Sequence, residues 1–406
     1  MRINDLASPT FPPEIAALRE SIVPMAEGIR LEPGFVLDEA RTETGLADFG
    51  DPGFEERLDV LLRSFRSEAA LSPFGVINSH GLIVQLLKNR LLLQDLLRRH
   101  PEIHDVQIVR PIVIAGLPRT GTTHLHNLLA ADPALRSLPY WESLEPVLPP
   151  GAVDERRAST EFALDIVNQS MPLFKRMHEM TVEHAHEEIQ LLAMDFSSML
   201  FETTALLPSW RDHYLAHDQT PHYEYLKTVL KALQWLRGGE RWVLKSPQHM
   251  EQLGVLMQVF PDATIAICHR DPVAVTASVT MMLAYSARMH TDAVDPVAVG
   301  AYWAPRIEQL LNACLRDRAL VPDAQSIDVR FHEFMADDLA MVERIYAVAD
   351  QPLPDTSRAS MRAFLDAHPR GRFGTVEYDL PQFGLDAEER RHALSAYTQA
   401  FTLQDE

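Results

Sequence analysis

The chain has little of several things, and each shortage removes a class of protein. Only two cysteines, Cys268 and Cys314, occur among 406 residues, too few for a disulfide scaffold, so they read as small buried apolar side chains in a reducing compartment. No uninterrupted apolar run is long enough to cross a bilayer, and the first ten residues, Met-Arg-Ile-Asn-Asp-Leu-Ala-Ser-Pro-Thr, lack the apolar centre of a signal peptide. The expectation is a cytoplasmic protein with no transmembrane segment. Basic charge is also scarce: 37 Lys and Arg stand against 57 Asp and Glu, a formal net charge of −20. That balance opposes general binding to nucleic acid or to an anionic membrane, so an anionic ligand needs a local basic pocket in an acidic molecule. No internal repeat or low-complexity tract appears.

With 46% hydrophobic residues the chain is globular with a substantial core, and its character changes near residue 110. Residues 1–110 read as a helical region packed on the core, closing with Ile83 to Arg99, where leucines recur at near-helical spacing. Beyond Pro111, four short apolar or β-branched runs alternate with helical patterns: Ile112 to Ala115, Trp242 to Leu244, Thr264 to Cys268 and Ser326 to Phe331. The expected fold class is α/β, a P-loop-type parallel sheet flanked by helices. A domain over 111–385 would contain a helical insertion at about 155–237 that forms a lid or acceptor pocket, and 386–406 would add a C-terminal helix.

The most informative segment follows the first run. Gly116-Leu117-Pro118-Arg119-Thr120-Gly121-Thr122-Thr123 has the outer spacing of a phosphate loop, but Thr122 stands where a nucleotide triphosphatase has its lysine. Backbone N–H groups at the following helix start still suit an anion, while the equipment for a γ-phosphate and its metal is missing. Two more strand ends carry cations, Lys245-Ser246-Pro247 and His269-Arg270-Asp271-Pro272, with Ser278 two helical turns beyond Arg270. An arginine at a strand end and a serine on the next helix suit one further phosphate. Taken alone, Arg270 reads as a surface ion pair with Asp271.

In order and placement, these elements resemble the sulfotransferases that use 3′-phosphoadenosine 5′-phosphosulfate (PAPS), most of all the bacterial group related to the tyrosylprotein sulfotransferases. The likeness spans about residues 110–385. It implies a P-loop sulfotransferase with PAPS as co-substrate, its 3′,5′-bisphosphate PAP as product, and no metal. It implies that Arg119, Thr120, Gly121, Thr122 and Thr123 hold the 5′ end and that Arg270 and Ser278 hold the 3′-phosphate. His368-Pro369-Arg370-Gly371-Arg372 resembles the basic C-terminal segment that closes over the nucleotide, which adds Arg370 and Arg372. Phe331 to Phe334 resembles the aromatic-acidic strand end near the adenine.

For chemistry, Arg119 and Lys245 are placed to meet charge on the departing phosphate. A general base is also required. Glu142, in Leu138-Pro139-Tyr140-Trp141-Glu142, is the first candidate. His184, His186 and Glu188 in Glu183-His184-Ala185-His186-Glu187-Glu188 are the second, although Glu187 and Glu188 also read as first-turn acids of a helix. His-x-His on a helix points its rings apart, which disfavours a metal. The acidic surface and apolar insertion favour a small hydroxylated or lipid-like acceptor. Two alternatives stay open here: a P-loop kinase or triphosphatase, and a noncatalytic nucleotide-binding module.

Overall fold

The computed structural model describes all of residues 1–406, and at its centre four parallel strands lie in the order β2-β1-β3-β4. These are β1 (Ile112–Ala115), β2 (Val243–Ser246), β3 (Thr264–His269) and β4 (Ser326–Arg330). Ile112 pairs with Val243 on one side and with Thr264 on the other. Every residue of β1, β2 and β3 is buried, as expected of a parallel sheet covered on both faces. Because side chains alternate along a strand, Ile112 and Ile114 enter one core with Leu125, Val342 and Ile345. Val113 and Ala115 enter the larger core on the opposite face.

The chain leaves β1 for β2 in one direction and reaches β3 in the other, so the topological switch lies beside β1. In an open α/β sheet this crevice, at the strands' C-terminal ends, is where ligands bind. The loop after β1 and Arg270 after β3 meet there. Asp271 does not pair with Arg270 as a surface ion pair. It caps the helix Pro272–Ser286 instead, accepting from the Val273 N–H at 3.0 Å. That helix is buried nearly all round and forms the floor beneath the crevice.

Between β1 and β2 the chain runs through a series of helices, among them Arg156–Ser170 and Thr220–Arg237. The N-terminal helices Phe54–Ser67 and Pro73–Arg99 place Leu58, Leu61, Phe65, Leu87 and Leu91 in the larger core. They are tied to this helical segment through Asp195, whose carboxylate accepts from Arg57 at 2.8 Å and Arg90 at 2.7 Å and meets His222 at 2.6 Å. Burial pushes the Asp195 carboxyl up, but His222 and the two arginines outweigh it and hold it below its ordinary value. At the other terminus the chain forms two short helices, Ala387–Ala393 and Ser395–Ala400, where a single helix over 386–406 was expected. No helix is long and apolar enough to cross a membrane.

Two stability predictions follow from these buried charges. Asp195→Ala leaves Arg90, 3% exposed, without its partner and should lower unfolding free energy by about 3–5 kcal/mol, measured by urea denaturation. His126, fully buried and 3.3 Å from the Val243 carbonyl, is held by burial at a pKa of about 3. Its folded pKa lies below the unfolded value, so its contribution is complete above about pH 6.5 and is lost as pH falls towards 3. Between pH 7 and pH 5 that amounts to about 2 kcal/mol, and His126→Gln should flatten this part of the stability profile.

Candidate active site

Close packing sets the loop after β1. A Cβ on Gly116 would lie 2.6 Å from Thr122 Cγ2 and 2.9 Å from Cys268 Cβ, so only glycine lets the helix Thr122–Ala130 start this near β3. Arg119 (φ +74°) and Gly121 (φ +88°) take left-handed conformations that turn the chain into the helix. The backbone N–H groups of Arg119, Gly121, Thr122 and Thr123 meet no protein acceptor. With the helix dipole behind them, they form an anion cradle. Arg119, Gly121, Thr122 and Thr123 line a cavity of about 910 Å³. Thr120 does not, because its hydroxyl is turned inward to the Leu117 carbonyl at 2.7 Å.

Of the residues predicted for a second phosphate, Arg270 and Ser278 meet Arg119, and the buried Ser278 lines no part of the cavity. Arg270 donates to the Arg119 carbonyl at 2.7 Å and lies 4.1 Å over the Phe331 ring. Its remaining nitrogens bond the Glu406 carboxylate at 2.8 and 2.5 Å. Ser278 accepts from Arg119 Nε at 2.9 Å, while the same guanidinium donates to the Met177 carbonyl and to the Tyr378 hydroxyl. Arg370 donates to the Met335 carbonyl at 2.7 Å and pairs with Asp338, whereas Arg372 donates to the Ala367 carbonyl at 2.7 Å and pairs with Glu179. Both of these arginines line the same cavity.

The base candidates separate. Glu142 is 2% exposed, accepts from Arg136 at 2.7 Å, and is 3.1 Å from Arg237. It lines no part of the cavity, so its carboxylate serves a buried ion pair and is out of reach of an acceptor. Glu188 is likewise turned inward, accepting the Lys245 N–H at 2.8 Å and meeting His249 Nε2 at 2.5 Å, with His249 Nδ1 2.8 Å from the Tyr223 hydroxyl. Burial raises the Glu188 carboxyl, but His249 and the Lys245 N–H prevail and keep it below its ordinary value. Its neighbour Glu187 does reach the cavity, as do Glu179 and Glu183, and forms an ion pair with Lys245 Nζ.

His184, His186 and His178 do line the cavity. Residues 183–188 are not helical, so the two rings expected to diverge instead meet, with His184 Nε2 3.0 Å from His186 Nδ1. Burial, reinforced by Lys245, pushes the pKa of His184 down to about 4 against an opposing hydrogen bond to Thr181. Burial first and Lys245 next also lower His178. Near neutral pH all three rings are therefore uncharged, and burial makes each a weaker base than a free imidazole. His178 is distinctive in that its ring nitrogens meet no protein partner, whereas those of His184 are engaged by Thr181 and His186.

Sequence reasoning did not single out His178, Glu187 or His124 for this cavity, nor Tyr378, which meets Arg119 without lining it. Only Glu187 carried a signal, its adjacency to Glu188. The others lie on irregular segments or on a helix face that no periodicity marks.

Residues 111–355 match the family described as Sulfotransferase family. The chain is 26% identical over 251 residues to omega-hydroxy-beta-dihydromenaquinone-9 sulfotransferase Stf3 of Mycobacterium bovis, and equally to its namesake in Mycobacterium tuberculosis. That alignment covers 58% of this chain and spans 61% of the length of those relatives. Among solved structures, sulfotransferase STF9 from Mycobacterium avium superposes with a TM-score of 0.83 at 27% identity, covering 93% of this chain and 98% of that one. Sulfotransferase STF1 from Mycobacterium tuberculosis gives 0.75 at 30% identity, covering 89% and 97%. With an open N–H cradle and converging cations at the switch of its parallel sheet, this chain belongs to the sulfotransferase family.

Proposed function

We propose that this protein transfers the sulfuryl group of PAPS to a hydroxyl of a lipid-like acceptor. The observation that carries the donor assignment is the convergence of three features on Arg119: four open N–H groups at the loop, Arg270, and Ser278. They match an adenosine carrying phosphate groups at both ends, and the loop has no lysine for a γ-phosphate. Phe331, already under the Arg270 guanidinium, offers a ring face for the adenine. Arg370 and Arg372 would add charge from the cavity's C-terminal wall.

Sulfuryl transfer is an in-line displacement in which the protein positions and stabilises charge more than it forms bonds. The acceptor oxygen attacks sulfur, the bond from sulfur to the bridging oxygen of the 5′-phosphate breaks, and PAP leaves with that oxygen. Charge that builds on the leaving phosphate meets the loop N–H groups, Arg119 and Lys245. The acceptor's proton goes to His178, with His184 beside it as the second candidate. A bound donor anion would lift the imidazole pKa back towards neutrality, because nearby negative charge favours the protonated ring. Lys245 is buried and lines no part of the cavity itself; its Nζ pairs with Glu187, which does line it, and its backbone N–H is held by Glu188.

The acceptor side of the cavity is apolar and rich in methionine: Met171, Met177, Met180, Met199, Met282 and Met289 line it. Methionine walls adapt to irregular apolar ligands. Both mycobacterial relatives named for omega-hydroxy-beta-dihydromenaquinone-9 support a hydroxylated lipid-like acceptor.

Calorimetric titration with PAP, run beside ATP and magnesium, tests the donor: tight binding of PAP with little response to ATP is expected, and the reverse preference overturns it. Arg270→Ala should weaken PAP about 10- to 100-fold, the worth of a charge-assisted hydrogen bond, while adenosine 5′-phosphate changes little. Equal weakening of both removes Arg270 from the 3′ end. His178→Ala should reduce kcat about 10²- to 10⁴-fold with PAP affinity retained. If only His184→Ala does so, the base is His184.

A further inference from the structure

The methionine-lined end of the main cavity is closed by a wall of side chains. A second cavity, of about 140 Å³, lies beyond it, and the two share Thr203, Thr204, Leu283, His290 and Trp303. One layer of side chains therefore separates them. The second cavity is walled mostly by small apolar residues, including Ala69, Ala205, Val294, Ala298 and Val299. Its rim carries the exposed residues Ala70, Ala293 and Asp295 and the half-buried Glu68, so it reaches the surface.

The N-terminal region supplies one wall of this second space, through Glu68, Ala69 and Ala70. Ser72 N–H donates to the His290 carbonyl at 2.8 Å, and a Cβ on Gly75 would come within 1.9 Å of that oxygen. The helix Pro73–Arg99 thus lies directly against the turn that carries His290. At the neck, the Thr203 and Thr204 hydroxyls already donate to the Leu200 and Phe201 carbonyls at 2.6 and 2.7 Å. The one buried side-chain polar atom there without a partner is His290 Nδ1. Burial pushes the His290 pKa down to about 4, so the neck carries no charge near neutral pH.

We propose that the acceptor bears a long, uncharged apolar tail that parts the side chains of this shared wall, leaving its hydroxyl among the histidines and its far end in the second cavity. Resting on the acceptor side of the reading above, this extends it from an apolar pocket to a through-channel. Glu68 and Asp295 at the far rim exclude a tail that ends in an anion, by like-charge repulsion. A tail longer than the channel emerges at the rim instead of being refused. Ala298, which lines the second cavity and not the first, becomes a position that sets how much tail is bound.

A series of 4-alkylphenols keeps the head constant while the tail grows, and calorimetry on the full chain reads binding without turnover. Each added methylene that is buried should tighten binding about fourfold. In the wild type this gain should continue to a longer tail than in Ala298→Trp, which fills the second cavity. The shortest members should bind both proteins alike. Ala205→Phe, just after the helix Leu200–Thr204, narrows the same space from another element and serves if the first variant does not fold. Absence of binding by any alkylphenol overturns the channel, as does an identical break in the series for wild type and either folded variant. PAP titration of the same samples keeps the two readings apart: loss of PAP binding with an intact alkyl series sinks the donor assignment and leaves the channel standing.

Discussion

The absence of a side chain at Gly116 is the constraint on which the site depends. With Thr122 Cγ2 and Cys268 Cβ both within 3 Å of where a Cβ would stand, the loop lies against β3. The positive end of the helix Thr122–Ala130 is thereby delivered to the strand end that carries Arg270. The left-handed turn at Arg119 then presents its carbonyl to Arg270 and sends its guanidinium across the cavity to Ser278 and to the Met177 carbonyl. One residue thus joins the sheet edge, the central helix and the helical segment between β1 and β2. A ligand that took over those bonds would change the relation of all three.

The electrostatics of this arrangement are local. An acidic chain of net charge −20 repels anions at long range, yet its cavity gathers Arg119, Arg270, Arg370 and Arg372. In the structure each of these cations is occupied, by carbonyls or by carboxylates such as Glu406, Asp338 and Glu179. Those ion pairs are partly exposed and individually weak. An anion that engages several cations at once can displace them together, whereas a singly charged one exchanges one weak pair for another.

Much of this was legible in the amino-acid order. The four strands lie within a residue or two of the expected runs, because a fully buried parallel strand is a short, almost purely apolar segment bounded by turns. The loop was legible for the same local reason. Glu142 was not: it earned attention by its distance from the loop, but Arg237, one of the two arginines that hold it, comes from a helix 95 residues away in sequence, and no local pattern announces such a partner. The segment around His184 was read as a helix start. Its backbone is instead irregular, which brings His184 and His186 together and sends Glu187 and Glu188 to opposite sides of Lys245. His178 lay hidden in the same irregular stretch.

The N-terminal helices gain a role from the same packing. By composition they are an amphipathic bundle that needs a surface to cover. They find it on the larger core, through Asp195 and through the contact of Ser72 and Gly75 with the His290 turn. Removing them would take Glu68, Ala69 and Ala70 from the wall of the small apolar cavity beside Trp303 as well as expose leucines. In the proposed reading, residues 1–110 bear on the acceptor while the loop and Arg270 bear on the donor.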